Sequence, residues 1–227
     1  MCLRQYADAG RVLDRVIAVA SKDSNGRAYR ASIELEWHAD PRPLSSTIRA
    51  IIAEDSRQSQ NIAQLWLRVA LCERNFDSPS RALAALPIAG CYDNAIPFPR
   101  ASCEGVVAQM KGDKAAAHAA FTAARNEAVK LTADHPDYAE ALCVLAMADA
   151  GLGNKEDAIR EGRCAIELLP VSKNAIEGHL LIEYLALIYA WTGEKDLAFQ
   201  QLALAARTPA FLSYGELRLH PRWDPLP

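Results

Sequence analysis

Aromatic residues are scarce in this chain, at 7% of 227 residues, while the hydrophobic share is 51% and dominated by Ala and Leu. Strand-rich chains lean on Val, Ile, Thr and aromatics, so this balance points to tightly packed helices. Charge of one sign is also missing. The formal net charge is −3 and no basic run occurs, which argues against direct nucleic-acid binding, since that needs a basic surface. No apolar stretch approaches the roughly 20 residues of a membrane span. The opening MCLRQYADAGRVLDRV carries charges throughout and lacks the apolar core of a signal peptide. A soluble cytoplasmic protein with no membrane contact is expected. Low-complexity segments are absent too, so residues 1–227 read as one continuous domain, long enough for a full core.

The six cysteines, Cys2, Cys72, Cys91, Cys103, Cys143 and Cys164, include no CxxC pair, and no His lies at metal-ligand spacing from any of them. Cys72, Cys103, Cys143 and Cys164 fall in predicted helices. They are expected to be small core residues in a reducing compartment.

Apolar periodicity predicts helices over about 3–21, 27–37, 44–53 and 58–73. Asp23, Ser24, Asn25 and Gly26 form a turn cluster, and HADPRP breaks the chain at Pro41 and Pro43. Asp77 to Ser80 cap a short helix through Leu86. LPIAGCYDNAIPFP then reads as an ordered loop, broken by Pro87, Gly90, Pro97 and Pro99. From Arg100 the pattern tightens into six helices, with Asp113 and Asn154 as N-caps and a long seventh helix to about Thr132. Trp37 and Trp66 are expected in the core. Residues 208–227 form a tail whose Trp223 is expected to pack on the last hairpin, because an open end of a helical array exposes core.

The C-terminal half is self-similar. Gly153, Ala158 and Ala165, closed by Pro170, are matched by Gly193, Ala198 and Ala205, and by Gly112, Ala117 and Ala124. The Gly ends one helix, and the two Ala let the next pack closely against it. With Leu142, Leu145, Ala146 and their counterparts Ile182, Leu185, Ala186 and Tyr189, this pattern resembles the tetratricopeptide repeat. Asp149 departs from the usual aromatic and Gly162 from the usual Phe. The step from about 139 to about 179 is six residues longer than the repeat's roughly 34. A degenerate copy is expected over 65–89.

More narrowly, GLGNKEDAIREGRCAIELLPVSKNAIEG, LIEYLALIYAWTGEKDLAFQQL, SYGELRLHPRWDPL, WHADPRPL and ALCERNFDSPSRALAALP resemble the repeat region of some bacterial multidomain signalling proteins. There it follows a serine/threonine kinase, an adenylate cyclase or a winged-helix DNA-binding domain. The resemblance implies an accessory domain rather than a catalytic one. The catalytic motifs of those neighbours, a Gly-rich ATP loop, HRD and DFG, do not occur in this sequence.

Other chemistry is weakly signalled. Gly151, Gly153 and Lys155 lack the spacing and preceding strand of a phosphate loop. Glu156, Asp157, Arg160, Glu161 and Arg163 read as an exposed charged face. His179 and Glu183 lie one turn apart but have no evident third ligand, so no metal is expected. His135 and His220 precede prolines and read as helix-boundary residues. No catalytic triad can be assigned from spacing, and neither an enzyme nor a cofactor is expected.

The resemblance also implies a concave groove lined by the first helix of each hairpin. The inward positions place Val106 and Met110, Cys143 and Met147, and Glu183, Leu187 and Trp191 on it. Lys, Arg and Asn are missing from these positions, which argues against a clamp for a peptide carboxylate. An apolar lining with Met and Trp suits a hydrophobic peptide or helix. Two readings stay open: a binding groove, or a face covered by the chain's own N-terminal helices or a second copy.

The expected fold is therefore all-α, a tetratricopeptide-like solenoid forming a right-handed superhelix. Degenerate hairpins occupy 1–97, three clearer units 98–207 and a capping tail 208–227. The expected function is a protein-protein interaction scaffold with a protein or peptide partner. The alternative is a sensor domain that binds a small molecule or signal peptide and regulates a linked effector. A deep enclosed pocket would favour that alternative.

Overall fold

Turn chemistry at a few residues sets where the helices begin and end in the computed structural model, which describes residues 3–74, 78–93, 96–207 and 211–227. The described residues form twelve α-helices and one two-stranded hairpin, so the fold is all-α in its bulk, as composition suggests. Where the sequence reads as one continuous domain, the chain groups into two compact units. The first takes the residues up to Pro87 together with Ser213–Pro221, and the second takes Ile88–Leu212 together with Arg222–Pro227.

The first unit begins with α1 (Tyr6–Val19), α2 (Ser24–His38), α3 (Arg42–Glu54), a 3-10 turn (Ser56–Ser59), α4 (Ala63–Cys72) and α5 (Ser78–Ala85). Asp23 starts α2 by accepting from the backbone N–H groups of Asn25 and Gly26. Ile33, Leu35, Leu44, Ile48, Ile51 and Val69 build the core. The predicted helix from 58 is shortened, because the 3-10 turn occupies its first turn. The cap expected at Asp77 lies outside the described residues. Trp66 is buried, its indole N–H donating to Ser78 Oγ at 3.0 Å. Trp37 departs from expectation. It is 43% exposed and stacks on Tyr6 with ring centroids 5.9 Å apart.

The second unit opens with β1 (Cys91–Asp93) and β2 (Ile96–Phe98), antiparallel, with Cys91 opposite Phe98 and Asp93 opposite Ile96. The sequence reads here as a loop. Strands of three residues are too short to display an alternation, although burial does alternate, with Ile96 and Phe98 in and Pro97 out. A disulfide joins Cys91 to Cys103. This corrects the expectation that Cys103 is a small core residue in a reducing compartment. Cys72 and Cys143 are free and buried, Cys164 is free and exposed, and Cys2 lies outside the described residues.

Three helical hairpins follow: α6 (Arg100–Met110) with α7 (Lys114–Asp134), α8 (Ala139–Leu152) with α9 (Lys155–Leu168), and α10 (Glu177–Trp191) with α11 (Lys195–Arg207). Each helix packs on the next, and α8 also meets α10 directly. Gly112, Gly153 and Gly193 end the first helices with φ of 74°, 83° and 82°, a region that Gly enters without a Cβ penalty. The next N–H reaches back five residues each time: Asp113 to Ala108 O at 3.0 Å, Asn154 to Asp149 O at 2.9 Å, Glu194 to Tyr189 O at 2.8 Å. One closure is thus used three times. Ala117, Ala158 and Ala198 are buried, and so are Ala124, Ala165 and Ala205. These are the paired close contacts that the spacing requires.

Aromatic packing replaces the missing bulk between the first two hairpins. The Phe121 ring fills the space beside two glycines: a Cβ at Gly105 or at Gly151 would lie 2.7 Å from it. Gly162 serves α10 in the same way, leaving room for Ile188 and Leu185.

The tail does not form one cap. Ser213–Pro221 belongs to the first unit, where α12 (Tyr214–Leu219) packs on α2. A Cβ on Gly215 would sit 1.6 Å from Leu35 O, so only bare backbone lets α12 approach this closely. Ser213 Oγ caps the helix, accepting from Glu216 N at 3.0 Å. Arg222–Pro227 alone joins the second unit.

Candidate functional site

The seven residues expected on a groove all lie in the second unit, and the structure brings only some of them together. Cys143, Met147, Glu183 and Leu187 are buried, while Val106, Met110 and Trp191 are partly buried. Val106 and Trp191 pack on the cluster of Ala108, Ala117 and Phe121. The Phe121 and Trp191 rings meet edge to face, 5.9 Å between centroids and 70° between planes. At Glu183 and Trp191 this face meets another part of the same unit, the segment Arg222–Pro227.

Four contacts seat that segment. Trp191 Nε1 donates to the carbonyl oxygen of Arg222 at 2.9 Å. Arg222 Nη1 donates to Asp93 Oδ2. Its Nη2 lies 3.8 Å from Glu183 Oε1. Leu226 packs on the cluster of Leu185, Tyr189, Ala190 and Ala198. Trp223 is buried too. Glu183 and Trp191 both reach Arg222, the first at its guanidinium and the second at its carbonyl.

Electrostatics at this place favour a cation. The Arg222 side chain is only 10% exposed, and a buried guanidinium needs charge partners. Asp93 supplies one from β1 and Glu183 another from α10. Tyr184 Oη donates to Asp93 Oδ2 at 2.7 Å and so fixes that carboxylate. Burial, and then the Asp93 charge, pushes the Tyr184 hydroxyl well above its ordinary value, so it stays a donor. Burial, and then Glu140 and Asp93, likewise pushes the Cys143 thiol well above its usual range. Cys143 is therefore a packing residue rather than a nucleophile.

Sequence reasoning missed Asp93, Tyr184 and Arg222. Asp93 sits in the stretch read as a loop, and Arg222 in the stretch read as an apolar cap. No local period connects positions 129 residues apart. The composition of the inward positions carried half of the signal, since a lone Glu183 among apolar residues invites a cationic partner.

A second polar centre joins α7, α8 and α9. Asp149, fully buried, accepts through Oδ1 from Arg125 Nε at 2.7 Å and from Asn154 Nδ2 at 2.6 Å. Asn154 stands at the N-cap of α9 as expected, but its side chain makes no capping hydrogen bond and donates to Asp149 instead. Glu161 is also buried, with Oε1 3.4 Å from Arg160 Nη2. Asp149 Oδ2 and Glu161 Oε2 have no hydrogen-bond partner. Burial first, and the Asp149 charge second, raise the Glu161 carboxyl to about 7.

A cavity of about 140 Å³ lies among β2, α7 and α8, walled by Pro97, Pro99, Leu131, Tyr138 and Val144 and edged by Glu127 and Glu140. Burial raises the Glu140 carboxyl, and the Glu177 charge adds to this. A larger, shallow furrow of about 490 Å³ is lined by residues of α9 alone, Lys155 to Glu167. His179 Nδ1 is engaged by the Ala175 carbonyl rather than by a neighbouring ligand set. Among the described residues no three His, Cys, Asp or Glu side chains gather as metal ligands, and no helix is long and apolar enough to cross a membrane. The chain matches no protein-family model and no curated protein.

Proposed function

We propose that the chain is a non-catalytic protein-protein interaction module, a tetratricopeptide-like scaffold of a bacterial signalling protein. In this reading the three hairpins of the second unit are turns of a right-handed superhelix, and the α8–α10 face takes a peptide from a partner protein. One observation supports the reading: a short, turn-rich segment of the chain, Arg222–Pro227, is held against α10 and β1 by backbone, charge and apolar contacts together. Such a combination is how peptide grooves bind. A fused kinase, cyclase or DNA-binding domain in the parent protein remains the setting that the sequence resemblance implies.

The sensor alternative requires a ligand cavity, and those of drug-sized ligands run from about 300 to 1,000 Å³. The cavity at Pro97 and Tyr138 has less than half the lower figure, and the α9 furrow is lined from one helix only. The preference for the interaction reading rests on the seated segment, not on these volumes. The cytoplasmic placement expected from composition stays an expectation. The Cys91–Cys103 bond weighs against it, because thiols in a reducing compartment are kept reduced.

The test is a titration of the isotope-labelled full chain with a synthetic peptide of the Arg222–Pro227 sequence, followed by NMR. Shifts at Trp191 Nε1–H and along α8 and α10, with loss of the chain's own Arg222 contacts, are expected. If millimolar peptide leaves those signals unchanged, the face is not a peptide site.

A further inference from the structure

The way Arg222 is held says what the face reads. Its guanidinium stands between two carboxylates that come from different elements, Asp93 on β1 and Glu183 on α10. Asp93 is fixed from behind by the Tyr184 hydroxyl at 2.7 Å, and its strand is tied to α6 by the Cys91–Cys103 disulfide. The carbonyl of the same arginine is held by Trp191 at 2.9 Å. Four residues further on, Leu226 enters the cluster of Leu185 and Tyr189. Carboxylates from two elements converge on one guanidinium, so the place is built around a cation. Two acids on different sides also need donors pointing in two directions. A planar guanidinium supplies these and a single ammonium does not.

We infer that Asp93 and Glu183 form an arginine-reading subsite. The partner is a protein segment that carries Arg followed by an aromatic and then an apolar residue beside proline. The chain's own residues 222–227 are its resident competitor. This rests on the peptide-binding reading of the same face. Charge complementarity names the partner's cation, and the seated segment names the spacing of its apolar anchor. A tethered competitor acts at a local concentration in the millimolar range, so a partner must match all of these contacts or be held nearby by a second site.

The experiment uses the full chain with Arg222→Ala, which leaves the carboxylates in place and removes the resident guanidinium. Labelled peptides with the Arg222–Pro227 sequence, and versions with Lys or Ala at the first position, are titrated by fluorescence anisotropy. The Arg peptide is expected to bind this variant at least about tenfold more tightly than the Lys peptide, and more tightly still than the Ala peptide. Adding Asp93→Asn should erase the difference. The wild-type chain should bind all three peptides more weakly, because its own segment competes.

Equal binding of Arg, Lys and Ala peptides overturns the arginine subsite and leaves the peptide face standing. No binding of any peptide overturns both. Should Arg222→Ala lose its helical circular dichroism, Arg222→Lys replaces it, and the Arg peptide must then displace the resident segment more readily than in wild type. Light scattering closes the remaining possibility. A wild-type dimer that Arg222→Ala converts to monomer makes a second copy the occupant and overturns the partner assignment.

Discussion

Glu216 accepts from Arg68 Nη2 at 2.7 Å, although 148 residues of sequence separate the two. The Glu216 side chain is fully covered. Arg68 also reaches Glu36 at 3.2 Å, so one guanidinium serves two buried carboxylates of the first unit. Removing the shared arginine would leave both carboxylates desolvated, at a cost of about 3–5 kcal/mol, whereas removing Glu216 leaves Arg68 paired with Glu36 and costs less. Glu216→Ala should lower the urea midpoint accordingly. A loss under about 1 kcal/mol would mean that α12 contributes packing alone.

Phe121 offers a test of the interhairpin packing. Gly105→Ala or Gly151→Ala pushes a methyl group into its ring, and overpacking of this kind costs about 1–3 kcal/mol. Combining Gly151→Ala with Phe121→Leu should recover part of that loss. Strict additivity in denaturant unfolding would show that the two positions are not coupled.

Glu161 gives the stability curve a defined slope. The carboxyl has an ordinary value of 4.5 and is raised to about 7 in the fold. The folded state therefore binds the proton more tightly than the unfolded chain. The stability it contributes is full below about pH 4.5 and is lost as the pH rises towards 7. The groups facing it are Asp149, Asp157 and Arg160. Glu161→Gln keeps the neutral state at every pH. It should leave Tm unchanged at pH 4 and raise it at pH 8 by about 2–4 °C for each kcal/mol recovered. Unchanged melting curves at both pH values would show that Glu161 is already ionised in the fold.

The disulfide closes a short loop, its cysteines standing 12 positions apart in sequence. Closing a loop of this size is worth about 2–4 kcal/mol. Cys103→Ser should lower the unfolding free energy by that amount, with a lower thermal midpoint, and loosen the strand that carries Asp93. Hydrogen exchange at Tyr92 and Asp93 would rise, and the Arg222 contacts should weaken with it. Unchanged exchange there would mean that the hairpin is held by Phe98 and Tyr184, whose rings meet at 5.3 Å.

The parts of the fold that depend on near neighbours in sequence were legible. Gly112, Gly153 and Gly193 stop helices because only a residue without Cβ takes that backbone easily, and the Ala positions after them are buried because 3.6 residues make a turn. Asp149 stood out as the wrong residue type for its place, and it proved to be the acceptor for Arg125 and Asn154. What was not legible depends on distant pairing. Trp37 sits on the edge of a helical face, where periodicity does not separate inside from outside. Nothing near Glu183 or Trp191 in sequence tells that both will meet Arg222. The bond between Cys91 and Cys103 needs a hairpin that three-residue strands do not announce.

The order in which the chain visits its two units has a practical consequence. The polypeptide passes from one to the other after Pro87, back after Leu212, and over again after Pro221. A gene divided at Pro87 would express neither unit whole: the upstream product would lack the helix that carries Glu216, and the downstream product would carry it with nothing to pack on. Dissection therefore calls for co-expressed or permuted polypeptides, and a nick in either late crossing would strip a piece from one unit while leaving the backbone of its helices intact.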